Sequence, residues 1–293
     1  MNAERTHVLY RLARLQEDRL GDAEAALETY RSVVQLDPSA HAASEAVQRL
    51  LASTGRSAEL QTFYSDQLER LSDPDQQASI LTRLAELGEA SSDDQAASDS
   101  YRKLLEIRPT DRSAQRGYEQ ALSRLGEWDR LVETYERRAT ETDSAQDAAH
   151  WLTRAAETSV NQLGNSAQGA SLYTRALSQD PACRTALDGL TKLLSGSGEW
   201  MSLAEHLERA SDVFANIEEA LALRYEAARI RADRLGDATG AVESLKKCLE
   251  LAPGYRPALE RLQQLAGAAG AWRDVHDLQR SEAAASASVT SRH

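Results

Sequence analysis

Apolar residues recur along this chain at helical spacing, and the pattern repeats itself four times. Ala26, Tyr30, Val33 and Val34 step by four and three, and so do Ala97, Tyr101, Leu104 and Leu105. Gly169, Tyr173, Ala176 and Leu177 follow, then Ala241, Leu245, Cys248 and Leu249. Steps of this kind place the apolar side chains on one face of a helix. Each such helix stops at Pro38, Pro109, Pro181 or Pro253, because proline lacks the amide hydrogen and drives the preceding residue out of helical geometry.

The punctuation has a period. The prolines lie 71, 72 and 72 residues apart, as do the turn positions Gly21, Ser92, Gly164 and Gly236, while Trp128, Trp200 and Trp272 are separated by 72 each. Beyond each proline a second pair of helices runs through Gly55, Gly126, Gly198 and Gly270, where glycine can adopt the left-handed conformation that ends a helix. Four helices per period predict about sixteen in all, in an α-solenoid whose units bury their apolar faces against their neighbours. The small residues Ala13, Ala85, Ala156 and Ala228 are spaced 72, 71 and 72. The offset from the turns locates a one-residue shortening between Ala85 and Ser92, read as a shorter first helix in the second unit. The expected organisation is one elongated domain over 1–285, with units near 1–74, 75–146, 147–218 and 219–285 and a flexible tail over 286–293. The weakly apolar end of the chain and an uncapped first helix predict self-association through the ends.

Half the period is close to the 34 residues of a tetratricopeptide repeat. Leu12-Ala13 and Leu84-Ala85 stand where that family has Leu-Gly, followed by Ala26-x-x-x-Tyr30 to Pro38 and Ala97-x-x-x-Tyr101 to Pro109. Ala155-Ala156 with Gly169, Tyr173 and Pro181, then Ala227-Ala228 with Ala241, Leu245 and Pro253, continue the series. The chain resembles the tetratricopeptide repeat family over nearly its whole length. The second half of each unit departs from the pattern, with Leu60, Leu131, Leu203 and Val275 in the alanine position, and reads as a degenerate repeat. The resemblance implies an all-α, right-handed solenoid of about eight helix-turn-helix hairpins that acts as a protein-protein interaction scaffold.

In that family the first helix of each hairpin lines a concave groove. The resemblance therefore assigns Arg11, Arg14, Arg83, Arg154 and Arg229 to the inner wall, with Arg49, Arg116, Lys192 and Arg261 contributed by the intervening hairpins. In a chain of net charge -12 such a ladder of cations would bind an extended acidic segment or C-terminal carboxylate of a partner. The competing reading pairs these cations with Glu86, Glu157, Glu226, Asp188 and Glu260.

Composition narrows the remaining classes. The acidic balance works against nucleic acid as a partner, and no apolar run approaches the length of a membrane span. The N-terminus lacks the apolar core of a signal peptide, which points to a cytoplasmic protein. Cys183 and Cys248 show neither disulfide-framework nor zinc spacing, and the six histidines show no i, i+4 pairing. No Gly-rich phosphate loop or nucleophile motif is present, so the sequence predicts no cofactor and no enzyme activity. An alternative reading makes the chain the recognition or regulatory segment of a larger protein or assembly.

Overall fold

The computed structural model describes residues 2–269. The helix expected beyond Gly270, with Trp272, and the tail over 286–293 lie outside the described residues. Two compact units divide at Glu127 and Trp128. The first holds α1 (Asn2–Asp18), α2 (Ala23–Leu36), α3 (His41–Ser53), α4 (Ser57–Arg70), α5 (Pro74–Ala90), α6 (Asp94–Ile107) and α7 (Arg112–Leu125). The second holds α8 (Trp128–Glu141), α9 (Ala145–Asn161), α10 (Ser166–Gln179), α11 (Arg184–Ser197), α12 (Trp200–Val213), α13 (Ile217–Asp233), α14 (Ala238–Leu251) and α15 (Arg256–Ala269). The fold is all-α, and within each unit helices pack mainly on their neighbours in the chain.

The first turn of each period has a physical device behind it. Gly21, Gly164 and Gly236 adopt left-handed backbone with φ of 64°, 66° and 65°. The next residue then caps the following helix: Asp22, Asp93, Asn165 and Asp237 accept hydrogen bonds from the amides of Ala25, Ala96, Gln168 and Gly240. At the first hairpin of each period alanine meets small residue. Ala13, Ala85, Ala156 and Ala228 on the first helix are buried, as are Ala26, Ala97, Gly169 and Ala241 on the second, which lets the backbones approach. The α3–α4 and α11–α12 hairpins are looser than these, in keeping with their degenerate sequences.

The one-residue shortening lies in a turn, not in a helix. α5, α9 and α13 each span 17 residues. Three residues separate α9 from its capping Asn165 and α13 from Asp237, whereas Ser91 and Ser92 alone separate α5 from Asp93. Ser92 takes the left-handed conformation there, with φ 58°. Gly88 permits the tighter crossing, since a Cβ on it would come within 2.7 Å of the Ala97 amide nitrogen. The Asp93 amide closes the turn by donating to the Gly88 carbonyl at 2.8 Å.

A second small-residue device seats the repeated tyrosines. The Tyr101 ring of α6 lies over Gly117 of α7, and the Tyr173 ring of α10 lies over Gly189 of α11; a Cβ on either glycine would come within 2.7 Å of the phenol oxygen and nearer still to the ring. At the same two positions of the repeat the first unit has Tyr30 and Ala46, again a tyrosine with a small residue, and the fourth has Leu245 and Arg261.

Candidate functional site

The nine cations expected on the inner wall all lie on first helices of hairpins, α1, α3, α5 and α7 in one unit and α9, α11, α13 and α15 in the other. Their partners differ. Arg14 pairs with Asp18 at 3.3 Å along α1, and Arg49 of α3 reaches Glu17 of α1 at 2.5 Å. That hydrogen bond holds the Glu17 carboxyl below its ordinary range. Arg229 pairs with Glu226 at 2.8 Å, and Arg261 of α15 pairs with Asp233 of α13. Arg83 of α5 donates instead to the neutral Gln48 side chain of α3, and Arg116 to the Arg112 carbonyl at 3.3 Å. Arg154 lies over the Tyr135 ring, 4.5 Å from its centroid. Arg11 and Lys192 make no ion pair with a described residue.

Three clefts adjoin these positions. One of about 570 Å³ is bounded by α3, α4 and α5 and lined by His41, Glu45, Gln48, Gln67, Arg70 and Arg83, with Val34, Leu71 and Ile80 as its apolar floor. Its polar wall is a connected set: Gln48 and Gln67 amides both donate to Ser44 Oγ, at 3.1 and 2.5 Å, and the Tyr64 hydroxyl meets Gln48 Oε1 at 3.4 Å. Arg70, at the end of α4, pairs with no described carboxylate, so guanidinium groups stand on this cleft with Glu45 as its acid. A second cleft, of about 600 Å³ between α9, α10 and α11, places Lys192 among Glu157 and Asp188. A third, about 190 Å³, brings Arg229 and Arg261 together beside Asp233 and Glu260. The lining of these two clefts of the second unit holds at least as many carboxylates as cations, whereas the α3–α5 cleft sets Arg70 and Arg83 against Glu45 alone.

Several groups carry no signal in the repeat. Trp151 lies outside the tryptophan period, yet its ring stacks on Tyr135 with centroids 5.9 Å apart, and Arg138 covers it at 4.8 Å. Trp200, which does follow the period, is half-buried beneath Arg234 at 4.8 Å. Glu208 of α12 binds Arg231 of α13 through two bonds of 2.7 and 2.9 Å, and Arg231 continues to Asp237 at 2.9 Å, where it braces the cap of α14. His206 is buried with Nε2 unpartnered; burial pushes its pKa below the usual 6.5, and the nearby Arg209 charge acts the same way. Burial raises the Cys248 thiol to about 11, and Cys183 and Cys248 are both free. Among the described residues no group of three or more His, Cys, Asp or Glu is placed to hold a metal, and no helix is long and apolar enough to cross a membrane.

Three family models, each described as a tetratricopeptide repeat, match residues 7–40, 119–149 and 221–255. The first and third fall on the α1–α2 and α13–α14 hairpins, and the second on the end of α7, α8 and the start of α9. No curated protein sequence matches the chain. Among solved structures it is similar to a tetratricopeptide repeat protein from Parabacteroides merdae, at 16% identity over 89% of this chain and 98% of that one, with a TM-score of 0.34. It is also similar to YrrB, described as a TPR protein with an unusual peptide-binding site, at 18% identity over 61% of this chain and 89% of that one, with a TM-score of 0.32. Superpositions this loose leave the assignment to the family models and to the helix pairs themselves. On that basis the chain carries tetratricopeptide repeats, matched over residues 7–40, 119–149 and 221–255.

Proposed function

We propose that this protein is a non-enzymatic cytoplasmic scaffold that binds an extended acidic segment of a partner protein along the first helices of its hairpins. The observation that carries the reading is the α3–α5 cleft. There Arg70 and Arg83 have no carboxylate partner among the described residues, glutamine amides line the wall, and an apolar floor lies beneath. Guanidinium groups bind carboxylates in bidentate fashion, and side-chain amides satisfy the exposed peptide groups of an extended ligand. Arg49 follows Gln48 on α3 but is engaged by Glu17, so it would join the ligand only by exchanging partners.

The test is fluorescence anisotropy with labelled peptides ending in acidic residues and a free carboxylate, against the same peptides neutralised by amide substitution. The acidic peptides should bind more tightly, with affinity falling as salt is raised. Arg70→Glu/Arg83→Glu should weaken capture by about tenfold or more. Equal binding of both peptide sets, or unchanged capture by the double variant, rules the reading out.

A second reading, in which the chain associates through its end or serves as the recognition segment of a larger assembly, is favoured by a separate observation. α1 exposes Val8, Leu12 and Leu15 on one face.

A further inference from the structure

The repeated tyrosines differ in what meets the hydroxyl. The Tyr30 hydroxyl donates to Glu17 of α1 at 3.2 Å, and the Tyr101 hydroxyl is hydrogen-bonded to Glu89 of α5. Glu17 and Glu89 stand four residues beyond the repeated Ala13 and Ala85. Four residues beyond Ala156, the third period has Val160 instead. Val160 packs over Gly169, where a Cβ would come within 2.3 Å of Val160 Cγ2. The Tyr173 hydroxyl is therefore left with no hydrogen-bond partner among the described residues, although Tyr173 is only 5% exposed. Burial, and after it the Glu157 charge, raises its pKa, so the phenol keeps its proton. The fourth period has Ala232 at the Val160 position but Leu245 in place of the tyrosine, so no hydroxyl is orphaned there.

That hydroxyl stands on the cleft of about 600 Å³ between α9, α10 and α11. The phenol end of the ring lies over Gly189, and both residues line the cleft. Glu157 and Asp188 line it too, and neither carboxylate has an ion-pair or hydrogen-bond partner among the described residues. Lys192 reaches the cleft but pairs with neither, so two carboxylates stand against one cation. A phenol oxygen and two carboxylates all accept N–H bonds, and a guanidinium offers several in a planar fork. Val160 and Leu193, also in the wall, suit the aliphatic stem of such a side chain. We infer that the α9–α11 cleft takes the arginine side chain of a partner polypeptide, with Tyr173, Glu157 and Asp188 as its acceptors. The carboxylates hold the charge, and Tyr173, fixed by its buried ring, sets where the guanidinium lies. This site goes beyond the acidic-segment reading and does not rest on it, since it lies in the other compact unit and selects the opposite charge.

Fluorescence anisotropy on the full chain tests it, with a labelled peptide of otherwise neutral residues around a central arginine. The control is the same peptide with citrulline, which keeps the shape and loses the charge. The arginine peptide should bind about tenfold more tightly. Tyr173→Phe should weaken its binding about threefold or more and leave the thermal midpoint unchanged, because the hydroxyl bonds nothing in the fold. Asp188→Asn should weaken binding as well, and Lys192→Met should tighten it by removing a like charge. Equal binding of the two peptides overturns the inference, as does a Tyr173→Phe variant that binds like the wild type or melts at a lower temperature. Weaker binding by Lys192→Met overturns it too, because the cleft would then be an anion site. Arg70 and Arg83 are unchanged in all these proteins, so the acidic-peptide test of the α3–α5 cleft stands or falls separately.

Discussion

Tyr101 and Gly117 offer a direct measure of how bulk is traded between neighbouring helices. A Cβ on Gly117 would sit 2.7 Å from the Tyr101 hydroxyl oxygen and closer to its ring carbons, where about 3.5 Å is needed. Gly117→Ala should gain about 1 kcal/mol from helix propensity, because Gly117 lies inside α7. Overpacking against a buried ring costs about 1–3 kcal/mol, so the net is a loss near 1 kcal/mol. Tyr101→Leu introduces the residue that stands at this position of the fourth unit, Leu245. In that background the clash is gone, and Gly117→Ala should stabilise by about 0.5–1 kcal/mol. The coupling between the two sites is then about 2 kcal/mol, within the range seen for residues in contact. Urea unfolding at 25 °C followed by far-ultraviolet circular dichroism reads it as opposite shifts of the midpoint at constant slope. If Gly117→Ala stabilises the wild type, or acts equally in both backgrounds, the packing argument is wrong.

Other consequences lie elsewhere in the fold. Ser92→Gly should stabilise by about 0.5–1 kcal/mol, since Ser92 holds φ 58° without the freedom of glycine; a lowered thermal midpoint would show that its conformation is unstrained. The buried His206 is neutral in the fold, with a pKa lowered below 6.5, so the unfolded chain takes up its proton first. Its contribution to stability is complete above about pH 6.5 and is lost as pH falls toward the folded value. Urea midpoints between pH 7.5 and 5.5 should therefore drop more steeply for the wild type than for His206→Leu, and parallel profiles would contradict the assignment. Glu208→Ala leaves Arg231 sheltered beside Asp237 alone and should cost about 2–3 kcal/mol, whereas Asp18→Ala, at an exposed pair, should cost under about 1. Similar losses at both sites in thermal unfolding would contradict that ranking.

The helices and their turns were legible because each depends on residues close in the chain. Gly21, Gly164 and Gly236 mark left-handed turns, and an Asx residue one step later marks a cap, so the period located both. The shortening near Ser92 was placed correctly along the chain but in the wrong element. Only the backbone shows that Gly88 lets α5 keep its length while the turn loses a residue. Less of the candidate site was readable. The pairing of Arg229 with Glu226 lies within one helix and could be foreseen, but Arg49 with Glu17 and Arg261 with Asp233 join helices across a whole hairpin. Arg70 was missed because it lies on a second helix, outside the positions the family assigns to the groove, and reaches the α3–α5 cleft from the end of α4. Trp151 escaped because the repeat has no tryptophan at the equivalent positions, where Val8, Ile80 and Leu223 stand.

Photo-crosslinking maps the ligand surface without relying on substitutions. An acidic peptide with a free carboxylate and a photoreactive group near its end would be irradiated with the full chain and the adducts located by mass spectrometry. Adducts should concentrate on α3 and α5 around Gln48 and Arg83, together with the end of α4 at Arg70, and should diminish at high salt. Adducts concentrated on α2 and α6 away from the cleft, or a salt-independent scatter over the surface, would contradict the claim that this scaffold captures acidic segments through its first helices.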